Sequence, residues 1–137
     1  MTIRADSMTT LQKAVFSRLS LALSQDVFAS VPFNRSPPYV VIGDDEVGEE
    51  MEASGKLLEH TISVECFSST EGTSEAKTIA GEVQEDLTDT PLDLSSDDYE
   101  ALSMRHEGTS MSFDVDDKNI RTHRATVSLS ILVQNIA

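Results

Sequence analysis

The stretch ATVSLSILV, residues 125–133, decides the fold because it carries the longest and clearest two-residue alternation in the chain. Its apolar positions are Ala125, Val127, Leu129, Ile131 and Val133, and hydroxyl side chains stand between them at Thr126, Ser128 and Ser130. Successive side chains of a β-strand point to opposite faces of the sheet, so this pattern predicts a strand that buries one face. The rest of the chain must supply partner strands and a layer that covers the apolar face.

Three other stretches predict partner strands by the same alternation. Residues 58–67 alternate throughout, residues 99–107 alternate around Leu102 and Met104, and residues 111–115 alternate apolar with polar side chains. A half-buried strand of an antiparallel sheet shows this period. We therefore expect these segments to lie beside the closing strand.

A shorter strand is predicted at residues 39–42, YVVI, where the apolar run suits burial on both faces. The prolines at 37 and 38 exclude a helix just before it. Gly43 is expected either to end this strand or to bulge it. Residues 92–94 are a further candidate for a short strand.

Two segments predict amphipathic helices. Residues 9–24 repeat apolar side chains at spacings of three and four, and Thr9 with Gln12 fits a capping box. Residues 73–87 carry a second apolar stripe, interrupted by Gly81. Glycine costs up to about 1 kcal/mol relative to alanine inside a helix, so we expect Gly81 to permit close packing against a strand.

Phe16 and Leu23 lie beside the main apolar stripe of the first helix. They either widen the face that packs on the core or dock against another subunit. The helical period alone leaves both interpretations open.

The element order α-β-β-α-β-β predicts an α+β fold. Neighbouring strands without helical crossovers imply a largely antiparallel sheet, and two helices are expected to pack on one face of it. A length of 137 residues is that of one domain, so residues 1–137 are predicted to form a single unit. Residues 1–8 are expected to be a flexible N-terminus.

Composition excludes several classes of protein. With 24 acidic and 10 basic residues the net charge is −14, which disfavours a general nucleic-acid binder. No apolar run approaches the roughly 18 residues of a membrane span, and residues 1–8 lack the apolar region of a secretory signal. One cysteine, Cys66, can neither form an intramolecular disulfide nor build a zinc site alone.

Residues 44–55 are acidic and carry little apolar surface, so we expect a long loop or an extended hairpin tip. Their carboxylates are candidates for a subunit interface or pore surface, and a plain solvated loop is the alternative. The candidates are Asp44, Asp45, Glu46, Glu49, Glu50 and Glu52.

Arg121 and Arg124 flank His123 and form a small basic cluster in this acidic chain. They either pair with the chain's own acidic turns or contact an acidic neighbouring subunit. Both arginines are therefore candidates for the same interface.

No pattern for catalysis, cofactor binding or metal binding occurs. The glycines match no phosphate-binding loop, and GxSxG and HExxH are missing from the sequence. The histidines at 60, 106 and 123 are expected to be solvated strand residues, with metal ligation as the weaker alternative. Cys66 is expected to face the core. The sequence predicts a protein without enzymatic activity, cofactor or metal.

Order and spacing of four segments give the chain a family resemblance. They are the opening helix at LQKAV (11–15), the strand PPYVVIG (37–43), the strand HTISVECF (60–67) that leads into the second helix, and the closing strand from Arg121 to Val133. Together they resemble the tail-terminator, or tail-completion, proteins of long-tailed phages and phage-derived gene transfer agents. The resemblance spans residues 9–134, and Cys66 departs from it where an aromatic residue is expected.

That resemblance implies a structural role in the virion. Such proteins form a ring of six subunits at the head-proximal end of the tail, assembled in the host cytoplasm, which stops the tail tube and joins the head. The implied partners are further copies of the chain, the tail tube protein and a head connector or stopper, while DNA passes the pore without specific binding. The alternatives are another neck component, such as an adaptor or stopper, and a small acidic cytosolic protein-binding module.

Overall fold

The computed structural model describes residues 7–31, 36–49, 57–68, 73–115, 118 and 121–135. Two helices and five strands follow one another in the order α1 (Ser7–Ala22), β1 (Asp26–Phe28), β2 (Tyr39–Glu49), β3 (Leu57–Ser68), α2 (Ser74–Asp89), β4 (Tyr99–Val115) and β5 (Arg121–Asn135). A 3-10 turn, Ser95–Asp97, precedes β4. The predicted α+β single domain is confirmed. Neither helix is long and apolar enough to cross a membrane within these residues.

The five strands form one open sheet in the order β1-β2-β3-β5-β4. Every neighbouring pair is antiparallel except β1 with β2, which is parallel. Sequence alternation does not predict β1, because its three residues are too few to show a period. Its short pairing with β2 runs from Asp26 opposite Tyr39 to Phe28 opposite Val41.

The core lies on one face of the sheet, beneath both helices. β3 and β5 pair so that Ile62 lies opposite Leu129 and Val64 opposite Val127, and all four side chains are fully buried. α1 covers them with Leu11, Val15 and Leu19, and α2 with Ile79, Val83 and Leu87. Burial of such side chains stabilises the fold by roughly 1.5–3 kcal/mol each.

The alternation predicted for the start of β4 is wrong by one residue. Tyr99 and Ala101 are buried, whereas Leu102 is 42% exposed. The pairing with β5 shifts between Ala101 and Ser103, which inserts one unpaired residue at Leu102. Such a bulge reverses the faces of the residues that follow it, and periodicity alone does not reveal it. The candidate strand at 92–94 is also wrong, since these residues have no strand structure although Leu92 and Leu94 are buried.

β2 extends beyond the predicted strand because Gly43 bulges it rather than ending it. The register with β3 shifts between Ile42 and Asp45. A side chain at Gly43 would lie 3.1 Å from Ser63 Oγ, which is closer than most carbon contacts. Residues 44–49 continue the strand, so this part of the acidic segment is one arm of a hairpin and not a loop. Backbone pairing with β3 orders it without apolar side chains. Residues 50–55 lie outside the described residues.

α1 begins earlier than predicted. Ser7 and Met8 belong to the helix and not to a flexible N-terminus, and Thr9 is not its first residue. Leu23 is buried, so it widens the face that packs on the core, which was the first of its two interpretations. Phe16 is 40% exposed, so docking against another protein stays open for that residue.

Arg18 of α1 binds the C-terminal end of α2. Its guanidinium donates hydrogen bonds to the carbonyl oxygens of Asp86 (3.3 Å), Thr90 and Pro91 (3.0 Å). Carbonyls at a helix end lack partners inside the helix, and the helix dipole makes that end negative. Because α2 has no basic residue in its last turn, Arg18 supplies the charge from the neighbouring helix.

We expect Arg18→Ala to lower the free energy of unfolding by about 1–2 kcal/mol, since it removes charged hydrogen bonds and a favourable dipole contact. Lys13→Ala is the matched control, because it removes one positive charge from an exposed position of the same helix. Urea denaturation of both variants measures the difference. Equal losses in the two variants would contradict the capping role of Arg18.

Gly81 does not have the packing role expected of it. It is exposed, and a side chain there would meet no atom within 4 Å. We therefore expect Gly81→Ala to raise the free energy of unfolding by about 0.5–1 kcal/mol, because alanine restricts the unfolded chain and favours the helix. Thermal denaturation tests this, and a lower melting temperature would show that Gly81 has a contact partner after all.

Candidate functional site

The face of the sheet opposite the helices, called the open face below, is a polar surface to which β2, β3, β4 and β5 contribute side chains. No described helix packs on it, and strand alternation places there the side chains that the core excludes. They are mostly hydroxyls and carboxylates. The residues are Asp44, Glu46, Glu59, Thr61, Ser63, Glu65, Arg105, Ser110, Ser112, Asp114, Arg124, Thr126, Ser128 and Ser130.

The predicted acidic residues of β2 divide between the two faces. Asp44 and Glu46 are exposed on the open face. Asp45 lies on the helix side, half-buried opposite Ile62, and so does not belong to a common acidic surface. Glu49 is the last residue of β2. The candidates Glu50 and Glu52 lie outside the described residues.

Arg124 lies on the open face and is occupied by its own chain. Its guanidinium is 3.8 Å from the Asp114 carboxylate and 4.0 Å from that of Glu65, and its Nε donates to Ser112 Oγ at 3.1 Å. It also lies 5.9 Å from the ring centre of Phe67. These contacts favour internal charge pairing for Arg124.

Arg121 occupies a different environment at the start of β5. Its guanidinium stacks on the Phe113 ring at 4.9 Å, and Phe113 itself is 52% exposed. Among the described residues Arg121 has no ion pair with a carboxylate. The alternative of contact with another subunit therefore stays open for Arg121 alone.

Among the acidic candidates, Glu49 lies at the end of the sheet opposite Arg124, whereas Asp44 to Glu46 lie between the two ends. Glu49 is paired with Leu58, whereas Arg124 is paired with Phe67 near the other end of β3. At the usual rise of a strand these two rows are roughly 30 Å apart. The structure does not bring the predicted residues together into one site within a single chain.

An aromatic row on the open face was not predicted. The ring centres of Phe28 and Tyr39 are 6.1 Å apart, and those of Tyr39 and Phe67 are 4.9 Å apart. Such distances are typical of favourable aromatic pairs. The sequence did hold one signal, since Phe67 stands on the polar side of an alternating strand, but the pairing with Tyr39 required the sheet register.

The prediction that His60 is a solvated strand residue is wrong. It is fully buried, its Nδ1 lies 3.2 Å from Asp45 Oδ1, and its Nε2 lies 3.0 Å from Ser7 Oγ. Because a carboxylate only accepts hydrogen bonds, Nδ1 donates to Asp45 Oδ1, and Nε2 shares a hydrogen bond with the Ser7 hydroxyl. The network joins the start of α1 to the β2–β3 hairpin.

Hydrolytic triads also link a serine, a histidine and an aspartate in this order, but here the serine and the histidine are buried away from any substrate. His60 is fully buried and only 9% of Ser7 is exposed. A nucleophile needs a cleft in which a substrate carbonyl can reach it. The contacts of His60 therefore satisfy buried polar groups and position α1, as buried polar side chains generally require.

Cys66 faces the core, as predicted, and is fully buried. Burial, with a smaller contribution from the charge of Glu65, raises the pKa of its thiol to about 12. Since the thiolate is the reactive form, Cys66 is not a nucleophile at neutral pH.

No three histidine, cysteine, aspartate or glutamate side chains in the described part of the chain converge in a way that could hold a metal ion. His106 Nε2 contacts Thr109 Oγ1 at 2.7 Å, and the ring of His123 lies 6.1 Å from that of Phe113. The three histidines thus have separate local partners.

Fold and surface together define a two-layer α+β protein that leaves one polar sheet face uncovered. The sequence matches the family model of the tail completion protein gp17 over residues 13–134. The chain belongs to this family and is a structural protein of phage-type tails. The predicted family resemblance is confirmed.

Two solved structures share the fold. A chain in the virion of a native gene transfer agent particle superimposes with a TM-score of 0.75 at 20% identity, covering 93% of this chain and 96% of that one. The gp17 protein of bacteriophage SPP1 gives a TM-score of 0.53 at 20% identity, covering 100% and 99%. No curated protein sequence matches.

We expect His60→Ala to lower the free energy of unfolding by about 2–4 kcal/mol, because it leaves a cavity and removes the partner of two buried polar groups. His106→Ala is the control and should cost less than about 1 kcal/mol, since its one side-chain contact is exposed. Chemical denaturation measures both. If the two variants lose the same stability, the buried network is not a structural link.

Proposed function

We propose that copies of this chain form a ring of six at the head-proximal end of a phage-type tail tube, where the ring stops tube growth and presents the surface that joins the head. Membership of the tail completion family supports this proposal, and so does the shared fold with a chain of a gene transfer agent particle. In this proposal the neighbouring partners are the tail tube protein and a head connector or stopper.

The open face is the observation that carries the proposal. Among the described residues its carboxylates, including Asp44, Glu46 and Glu59, stand among small hydroxyl side chains and outnumber its two arginines, Arg105 and Arg124. A lumen with this lining repels the phosphates of DNA and makes no sequence-specific contact. DNA can then pass through the ring without binding to it.

The arrangement of the layers agrees with this orientation. The helices add bulk to one side of the sheet only, and the outside of a ring offers more circumference than the inside. The helix layer therefore belongs outside and the open face inside. Copies arranged head to tail close by rotation, which is the condition for a ring rather than a filament.

In this proposal termination depends on shape and charge complementarity, and no catalytic step, cofactor or metal takes part. One rim of the ring fits the end of the tube, and the other rim does not accept a further tube ring. The network of Ser7, His60 and Asp45 stabilises the subunit and does not react.

The first test is deletion of the gene that encodes this chain from a particle-producing strain. We expect tails of uneven length without attached heads, and a plasmid copy of the wild-type gene should restore uniform, joined tails. Electron microscopy measures tail length and head attachment. Uniform tails joined to heads in the deletion strain would refute the proposal.

A second experiment tests whether the open face lines the lumen of the ring, and it uses two matched pairs of charge-reversal substitutions. Asp44→Lys with Glu59→Lys puts positive charge on the open face, and Glu82→Lys with Glu85→Lys puts the same charge on the exposed side of α2. Only the open-face pair should retain DNA in assembled particles and lower DNA delivery. Equal effects of both pairs would place the open face away from the DNA.

A further inference from the structure

Both edges of the sheet have backbone groups without a described partner strand. β4 forms one edge of the sheet, and from Glu100 to Val115 no described strand lies on its outer side. At the other edge β1 covers β2 only from Tyr39 to Val41, so Ile42 to Glu49 form a second free edge. Rows of unpaired N–H and C=O groups are ready to pair with another strand.

The terminal half of β4 lacks the usual protection of an edge strand. Its pairing with β5 is irregular near Leu102 and Glu107, but continues without a shift from Gly108 to Val115. That stretch, GTSMSFDV, contains no proline and no lysine, and its one charged residue is Asp114. Phe113 and Val115 are 52% and 48% exposed. Natural proteins avoid such an edge unless it has a partner.

We propose that copies of this chain join edge to edge, with β4 of one copy lying antiparallel beside the β1–β2 edge of the next. This inference rests on the proposed ring and names the surface that closes it. β4 runs opposite to β2 within its own sheet, since three antiparallel pairings separate them. Rotation about a ring axis keeps strand direction relative to that axis, so β4 also runs opposite to β2 of the next copy.

The two edges carry opposite charge in one row of the sheet. Glu46 pairs with Thr61, Thr61 with Ser130, and Ser130 with Arg105. All four side chains therefore point to the open face at the same level. In the proposed contact the strands of two copies pair in the register that continues this row, so that Arg105 lies against Glu46 of the next copy. Opposite charges across a strand pair are favourable.

Arg105 is available for this contact. Its side chain is 72% exposed, and its present partner is Glu107 on the same strand at 2.7 Å. An exposed ion pair of this kind contributes little to stability, so Arg105 can exchange or share it. On the opposite edge Asp44 lies on the same face as Glu46, so a tilt of the strands still presents a carboxylate.

A second copy of this chain is the binding partner that uses both edges of the sheet. An isologous contact of β4 with β4 would leave the acidic edge of β2 unpaired and would end at a dimer. A head-to-tail contact pairs each edge with its complement and leaves no edge free after closure.

Cysteine pairs test the contact directly. The double variant Glu46→Cys with Arg105→Cys is produced in particles in which it replaces the wild-type chain, and the particles are then oxidised. We expect a ladder of disulfide-linked oligomers ending at the full ring. Glu82→Cys with Glu85→Cys on α2 is the control and should remain monomeric. Dimers from Arg105→Cys alone would identify a β4–β4 contact and overturn the proposal.

Charge exchange provides the second measurement. Arg105→Glu and Glu46→Arg should each lower the yield of head-joined particles by roughly tenfold, since like charges then meet at every contact. The double exchange should restore the yield to within about threefold of wild type. Unchanged melting temperatures establish that the exposed substitutions leave the subunit folded.

The outcomes separate this inference from the proposed function. Electron microscopy of wild-type particles shows whether a ring is present at all. The edge contact is overturned if wild-type particles contain a ring, but the double cysteine variant forms no disulfide between the two substituted positions and the charge exchange gives no rescue. The proposed function is unaffected by that result. Wild-type particles without a ring would overturn both proposals.

Discussion

The pairing of β3 with β5 is the constraint on which the rest of the structure depends. Its register puts Ile62, Val64 and Leu129 on one face together. A slip by one residue would turn the apolar side chains of one of these two strands toward solvent and its hydroxyls toward the helices. The same register therefore sets which face α1 and α2 cover and which carboxylates line the open face. Core and candidate surface follow from one set of backbone hydrogen bonds.

The sequence predicted the elements whose pattern is long and local, and missed those that depend on distant partners. β3, β5 and both helices show a sustained period, and their positions were predicted within a few residues. β1 is too short to show a period. The bulge at Leu102 shifts the pairing of β4 with β5 by one residue, although the sequence continues to alternate there. His60 looked like a solvated strand residue because its partners come from α1 and from β2.

The surroundings of the candidate site residues also depend on distant partners that the sequence pattern does not reveal. Spacing identified Asp44, Asp45 and Glu46 as an acidic group, but strand geometry separates adjacent residues onto opposite faces. The bulge at Gly43 then decides which of them face the helices. Arg124 is held by Glu65 and Asp114 from neighbouring strands, which no local pattern contains. The sequence pattern therefore identifies the charged residues but not their neighbours, which depend on the register across several strands.

Charge explains why backbone edges suit the proposed assembly of this chain. Each subunit carries −14, so copies repel one another, most strongly at low salt. Aromatic residues are only 5% of the chain, and the core already uses the helix-covered face. An interface made from strand edges gains hydrogen bonds that do not depend on net charge, and the row from Glu46 to Arg105 adds a local attraction within the repulsive whole. In the proposed ring, backbone pairing provides cohesion while the open face keeps the negative charge that repels the phosphates of DNA.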